Sequence, residues 1–460
     1  MKLTAHLLSL WESIRASYWF VPSAMSLAAI LLSFTMVWID AALPEEILEE
    51  ATWVYTGTAE GARTLLATIA SSMIGLAGVV FSITIVSLTL ASGQFGPRLL
   101  RNFMRDTGNQ ITLGTFLAAF LYCLLVLRKI KGTSDDLGIE VFVPQLSILL
   151  AVLIAIAGLG VLIYFIHHAA EAIQAPNVIA SVAEDLVHSI QTLYPELIGQ
   201  HPHEVDQAEA DAAAQVPSRF LEESRVILAG SDGYVLRIEP EQLLAITREH
   251  DLIVRVERHP GQFVHRDDPV LRAWPEARLD DSIIDALRDS FATGDQRSWT
   301  QDTDFVVEQL VEVAVRALSP GVNDPFTAIQ CVDRLGAAMS ELARRRFPST
   351  YRVDDEGRLR VVAEARTRCD FFDTSFNQIR QYAKNSLDVL IRILEALARI
   401  AVHIRHESDW QCLSAHISMT YELAVTAATA ERDRQMVERR YAEAQLALQA
   451  SAAAPAATRS

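Results

Sequence analysis

Four long stretches without a charged side chain crowd the first 168 residues, and they restrict the fold more than any other feature. Residues 19–39 and 107–127 each give 21 uncharged positions, 64–97 gives 34, and 141–166 gives 26. A helix needs about 20 such residues to cross the hydrocarbon core, whereas buried helices of water-soluble proteins usually show only about 10–14. Four qualifying stretches in succession predict a membrane domain. The first is not a cleavable signal: its apolar run is too long, and it follows the polar stretch LTAHLLSLWESIRASYW without a small-residue cleavage site. Trp19 and Trp38 bracket it as interfacial aromatics do.

Charge separates this part from the rest. The first 168 residues hold 9 of the 40 Lys+Arg and 11 of the 57 Asp+Glu, so nearly all of the net charge of −17 lies later. An acidic second part excludes nucleic acid as an expected partner, because phosphate binding needs clustered Lys and Arg. The expected partners are the lipid bilayer and further copies of the chain; no protein partner is identified.

Orientation follows from basic residues in short loops. Lys2, Arg15, Arg98, Arg101 and Arg105 lie on one side, and Arg63, Arg128, Lys129 and Lys131 on the other. The margin is small, and it predicts both termini in the cytoplasm of a bacterial inner (plasma) membrane. Cys123, Cys331, Cys369 and Cys412 form no CxxC pair. They read as small buried hydrophobes in a reducing compartment rather than as a disulfide frame or a zinc site.

The second stretch has a patterned side. At helical spacing, Ser71, Gly75, Gly78, Ser82, Ile85, Thr89 and Ser92 share one face, and six of the seven are small or hydroxylated. Two uses remain open. Small residues let membrane helices pack closely, and hydroxyls with bare backbone can line a water-filled path. The stretch is also too long: 34 helical residues extend about 50 Å against a core of about 30 Å. Gly96-Pro97 is the expected breaking point. Beyond it Arg98, Arg101 and Arg105 fall on one helical face. They are candidates for contacts to lipid phosphates or for a cationic ring at a pore mouth, with plain positive-inside anchoring as the third option.

The string SLTLASGQFGPRLLRNFMRDTGNQ, together with RALSPGVNDPFTAIQCVDRL at 316–335, resembles a bacterial family of predicted membrane proteins, domain of unknown function 2254. The resemblance runs from about residue 10 to 430. It implies a membrane domain of this kind and carries no activity, ligand or catalytic residue.

The expected fold class is an α-helical integral membrane domain of four transmembrane helices followed by an α+β cytoplasmic domain containing a small β-rich module. Residues 1–170 form the membrane domain, with spans at about 19–39, 64–95, 109–127 and 142–166. A helical connector and polar linker fill 171–217, the β-rich module 218–275 and a mainly helical part 276–446, and 447–460 form a disordered tail. The module's PGQFVHRDDPVL is similar to part of a lipoyl-type barrel. It has no lysine at a hairpin tip, so no carrier role or cofactor is expected. In SPGVNDPF, Asp324 reads as an N-cap with Pro325 at the first helical position; Asn323 and Asp324 also make a candidate interaction corner.

No phosphate-binding loop, dinucleotide fingerprint, HExxH or GxSxG string occurs. No catalytic residue, metal ligand or enzyme activity is therefore expected. Within the spans the only acid is Asp40, at an edge, which argues against an ion-coupled carrier. Two functions stay open: an oligomeric channel or pore with a cytoplasmic gating domain, and a membrane-tethered sensor or scaffold that binds a partner.

Overall fold

The computed structural model describes residues 18–43, 58–96, 106–131, 142–194, 202–297, 301–364 and 366–453. The chain divides into two units, residues 1–177 and 178–460.

The first unit is built from four apolar helices: α1 Phe20–Ala42, α2 Ala59–Phe95, α3 Thr107–Leu127 and α4 Gln145–Ala172. In lipid the backbone must satisfy its own hydrogen bonds, which leaves the helix as the only open-ended solution. Half of the most apolar window of α3 is buried, against 17–22 % in the other three, so α3 is the central helix. Its Tyr122, Cys123 and Val126 pack with Ala62, Leu66 and Ala70 of α2 and Ile148 and Ala151 of α4. Nearer its start, Leu113, Phe116 and Ala119 meet Met73, Ala77 and Val80 of α2 and Phe165 of α4. Large apolar side chains on the outside, such as Leu31, Trp38 and Ile163, are more than half exposed. Lipid is their natural solvent.

Local chemistry sets the helix ends. Thr58 caps α2 by accepting from the Gly61 amide at 3.2 Å, and Asp106 caps α3 by accepting from the Gly108 amide at 2.8 Å. α2 closes at Gly96, whose φ of 105° suits glycine and whose N–H donates to the Ser92 carbonyl at 3.2 Å. At 37 residues α2 is about 55 Å long, well beyond the thickness of a hydrocarbon core.

The second unit mixes helices and two sheets. α5 Ala175–Leu193 and α6 Pro202–Ala214 precede β1 Arg225–Leu228, β2 Gly233–Ile238, α7 Pro240–Glu249, β3 Ile253–Val256, β4 Phe263–Val264 and β5 Pro269–Trp274. Then come α8 Asp281–Arg288, β6 Phe291–Gly294, α9 Thr303–Ala317, α10 Pro325–Arg344, β7 Tyr351–Val353 and β8 Leu359–Ala363. Four helices finish the chain: α11 Arg368–Tyr382, α12 Leu387–Ala401, α13 Glu407–Ala427 and α14 Glu431–Ala453. One sheet has the order β1-β5-β3-β8-β7 and the other β4-β2-β6. All pairs are antiparallel except β3 with β8. The helical core buries Leu310 of α9, Leu335 and Met339 of α10, Phe372 and Phe376 of α11, Leu394 of α12 and Ile417 of α13.

Several local readings change. The β-rich region is not closed at residue 275: β6 joins β2, and β8 joins β3 from more than 80 residues further along. The part from residue 276, expected as mainly helical, contains a strand near its start: α8 stops at Arg288 and the chain turns into β6. Residues 202–214, expected as a polar linker, form α6; its Glu209 accepts from Ser349 Oγ and the Thr350 amide, and Ala212 is buried. Residues 447–453, expected within a disordered tail, continue α14, which runs to Ala453 with Leu448 buried and its carbonyl accepting from Trp410 Nε1. The cysteine reading is also corrected. Cys123 and Cys331 are free and buried, but Cys369 and Cys412 are joined by a disulfide, because α11 and α13 bring their Cα atoms within 5.8 Å.

A charge network ties the β7–β8 hairpin to the turn after α7. Arg360, 5 % exposed, donates through Nε to Asp354 Oδ2 and through Nη1 to Asp251 Oδ1, each at 2.7 Å. Arg278 Nη1 reaches the same Asp251 at 2.6 Å. The Arg360 hydrogen bond holds the Asp354 carboxyl down at about 2 and also lowers that of Asp251. Depressed carboxyls stabilise the fold above the unfolded pKa, near 4, and the benefit disappears as pH falls toward the folded value. Thermal unfolding should therefore lose stability between about pH 4 and about pH 2, and Arg360→Met should be less stable at pH 7 with a flatter acid limb. A parallel acid limb in the variant would show that the network does not set it.

Candidate functional site in the membrane unit

The buried stripe of α2 is Ala62, Leu66, Ala70, Met73, Ala77 and Val80. This fixes the opposite face. Ser71, Gly75, Gly78, Ser82 and Thr89 are exposed, and Ser92 is half-buried. A Cβ added at Gly75 or Gly78 would meet no atom within 4 Å. The contrast within the same unit is sharp. A Cβ at Gly114 of α3 would lie 2.6 Å from Met25 Sδ and 3.2 Å from Pro22 Cα. Gly114 is thus what lets α1 approach α3, whereas a Cβ at Gly75 or Gly78 would touch none of the described residues. Spans one, three and four leave the small face of span two uncovered.

Five hydroxyls along α2 bond within the helix. Thr64, Thr68 and Ser72 donate in succession to the carbonyls of Glu60, Thr64 and Thr68 at 2.7–3.0 Å. Thr84 and Thr89 each reach four residues back at 2.9 Å. Such back-bonds let a hydroxyl sit in apolar surroundings without water.

Polar side chains lock both rims of the unit. At one rim Asp40, near the end of α1 and 7 % exposed, receives the Leu146 amide at 2.8 Å, the Ser147 amide at 2.9 Å and Ser147 Oγ at 2.5 Å. The first turn of α4 has no acid of its own and no side-chain cap. Asp40 supplies from another helix the negative charge that a helix start favours. Tyr122 Oη donates to the Ser147 carbonyl at 3.1 Å, and Arg63 donates to the Ile130 carbonyl at 2.9 Å. At the other rim Asp106 Oδ2 lies 2.7 Å from His168 Nε2, and Tyr164 stacks on that imidazole with ring centroids 5.3 Å apart. Gly108 makes room: a Cβ there would be 2.7 Å from His168 Nε2.

Sequence reasoning missed the pairing of Asp106 with His168 and the work of Asp40. The signals were present in outline. RDTGN places an acid just before a helix, and PQLS opens a helix with no anionic cap. Which distant group answers each is a matter of packing.

Arg98, Arg101 and Arg105 lie outside the described residues. Asn323 and Asp324 form a tight corner in the second unit. Asn323 adopts φ 48°, and Asp324 accepts from the Thr327 amide at 3.2 Å and Thr327 Oγ at 2.6 Å, capping α10. Beside them Val322 and Phe326 are strongly exposed. Among the described residues no group of three or more His, Cys, Asp or Glu side chains comes within reach of a common metal ion.

The profile of a family described as "Predicted membrane protein (DUF2254)" matches residues 15–399. The chain belongs to the DUF2254 family. Uncharacterised proteins of Mycobacterium bovis and of Mycobacterium tuberculosis strain H37Rv are each 30 % identical to it over 389 residues, spanning 84 % of this chain and 72 % of the relative. No solved structure matches the chain. This DUF2254 member is a membrane protein with four candidate spans, and neither the family description nor the relatives' names carry an activity.

If Asp40 holds the start of α4, Asp40→Ala leaves two amides and a hydroxyl short of an acceptor. The expected loss is about 2 kcal/mol, read as a lower melting temperature in detergent. Asp40→Asn, which keeps one acceptor, should lose about half as much. Equal melting of Asp40→Ala and wild type would contradict the role.

Proposed function

We propose that this DUF2254 protein is an oligomeric inner-membrane channel, assembled around the uncovered face of α2, with its second unit acting from the cytoplasm as the gating part. The observation that carries the reading is that Ser71, Gly75, Gly78, Ser82 and Thr89 turn away from the chain's own helices. Lipid gains nothing from such a surface. Copies placed around an axis either pack backbone against backbone through the glycines or enclose a path edged by hydroxyls. A solute crossing there would be small and polar, since the face offers hydroxyls and peptide backbone and no fixed charge. The four candidate spans among the described residues support both termini on one side, and the basic-residue margin supports the cytoplasm as that side.

One observation favours the second reading, a membrane-tethered scaffold or sensor without transport. The hydroxyls of Thr64, Thr68, Ser72, Thr84 and Thr89 are already bonded within the helix, so an interface of this face with another copy can be dry.

Mass determination in detergent and solute flux in proteoliposomes separate the readings. The double variant Gly75→Leu/Gly78→Leu is expected to weaken self-association at least about tenfold, which corresponds to about 1.4 kcal/mol. Ser82→Leu is expected to keep the oligomer and cut flux severalfold. An oligomer that gives no flux selects the scaffold. A monomeric wild type contradicts both uses of this face.

A further inference from the structure

The second unit holds a covalent bond at a place where packing is chemically poor. Cys369 stands at the start of α11 and Cys412 in the second turn of α13, 43 residues apart in sequence, and both are partly exposed. Charged and polar side chains lie beside them on the same two helices. Arg368 Nη1 meets Asp409 Oδ2 at 3.1 Å, and one turn further on Asp373 Oδ1 lies 3.1 Å from His416 Nε2 without good alignment. His416 is 1 % exposed. Arg368 Nε, Ser375 Oγ, Arg380 Nε and both ring nitrogens of His416 are buried without an aligned hydrogen-bond partner, and all belong to α11 or α13. Buried polar atoms in that condition cost free energy that rehydration would return. The seam between the two helices therefore gains by opening as well as by closing. The remaining sides of α13 bury Leu413, Ile417 and Ala424, which gives it an apolar hold independent of the polar seam.

We infer that Cys369 and Cys412 form a reversible redox clamp that holds the α11–α13 seam shut when oxidised and lets it loosen when reduced. The inference rests on the cytoplasmic placement of the second unit, because in a reducing compartment a surface disulfide is transient and responsive rather than a permanent staple. The step is dithiol–disulfide exchange. A disulfide of a small thiol or of a carrier protein is attacked by one cysteine thiolate and releases one thiol. The second cysteine displaces the other, so the pair becomes one S–S bond and the carrier leaves as two thiols. Both cysteines are accessible enough to react, whereas Cys123 and Cys331 are fully buried.

The test uses the full-length protein. Thiols trapped by acid and alkylated under denaturing conditions are counted by mass in cells before and after a disulfide stress, and hydrogen exchange of residues 407–427 is followed on the purified protein in both redox states. Two alkylated cysteines after stress and four before it, with at least tenfold faster exchange in 407–427 on reduction, are expected. Cys369→Ser and Cys412→Ser should exchange like the reduced protein in either condition. Four free thiols throughout, a bond that the folded protein never yields to a dithiol reductant, or identical exchange in the two states would overturn the clamp. A membrane-impermeant label on a cysteine placed at Ser460 reports the side of the second unit separately. An outward location would remove the cytoplasmic reading and with it the responsive role, even where the exchange measurements succeed.

Discussion

A bilayer core gives the backbone no partner for its amides and carbonyls, and the first unit is arranged around that shortage. Helices answer it along their length but not at their ends, where unpaired groups remain. Here the ends are answered by side chains from elsewhere in the sequence. Asp40 of α1 serves the start of α4, and Asp106 both caps its own helix and holds His168 of α4. The two carboxylates sit at opposite rims, so α4 is pinned at both ends. The central helix α3 adds apolar contact, the Tyr122 hydrogen bond to the Ser147 carbonyl and the close approach that Gly114 permits.

With those four helices satisfied among themselves, the outer face of α2 is surplus to the unit. Small and hydroxylated residues interrupt it between the exposed side chains of Ile74, Val79, Ile85 and Val86. Among the described residues a Cβ at Gly75 or Gly78 would meet nothing within 4 Å, and Thr64, Thr68 and Thr89 have turned their hydroxyls inward along the helix. A surface of that kind is suited to another helix of the same character. The second unit has a comparable division of labour. Its helical core is apolar, while the α11–α13 seam is polar, incompletely bonded and bridged by sulfur.

The spans were legible because lipid imposes a requirement on composition alone: a charge-free run of sufficient length. The small face of α2 was legible for the same reason, through helical spacing. Its direction was not, since a helical pattern shows that a face is distinct without saying what covers it. Local caps were readable where acid and helix start adjoin, as at Asp106 and Asp324. Asp40 could not be read in this way, because its partners are 106 and 107 residues distant. Long-range partnership likewise hid the sheets, where β3 takes β8 as its parallel neighbour, and the helix at 202–214, whose Glu209 finds its donors at Ser349 and Thr350. The disulfide escaped for the same cause: spacing in sequence carried no hint that α11 and α13 would lie side by side.

The account turns on the uncovered face of α2 being a contact between copies, and crosslinking in native membranes tests that most directly. In a background without the natural cysteines, Gly78→Cys should form a chain-to-chain disulfide on mild oxidation. Ala77→Cys, on the buried stripe one position away, should not. A Gly78→Cys protein that stays monomeric under oxidation, with its thiol reacting instead with a lipid-soluble label, would contradict the account.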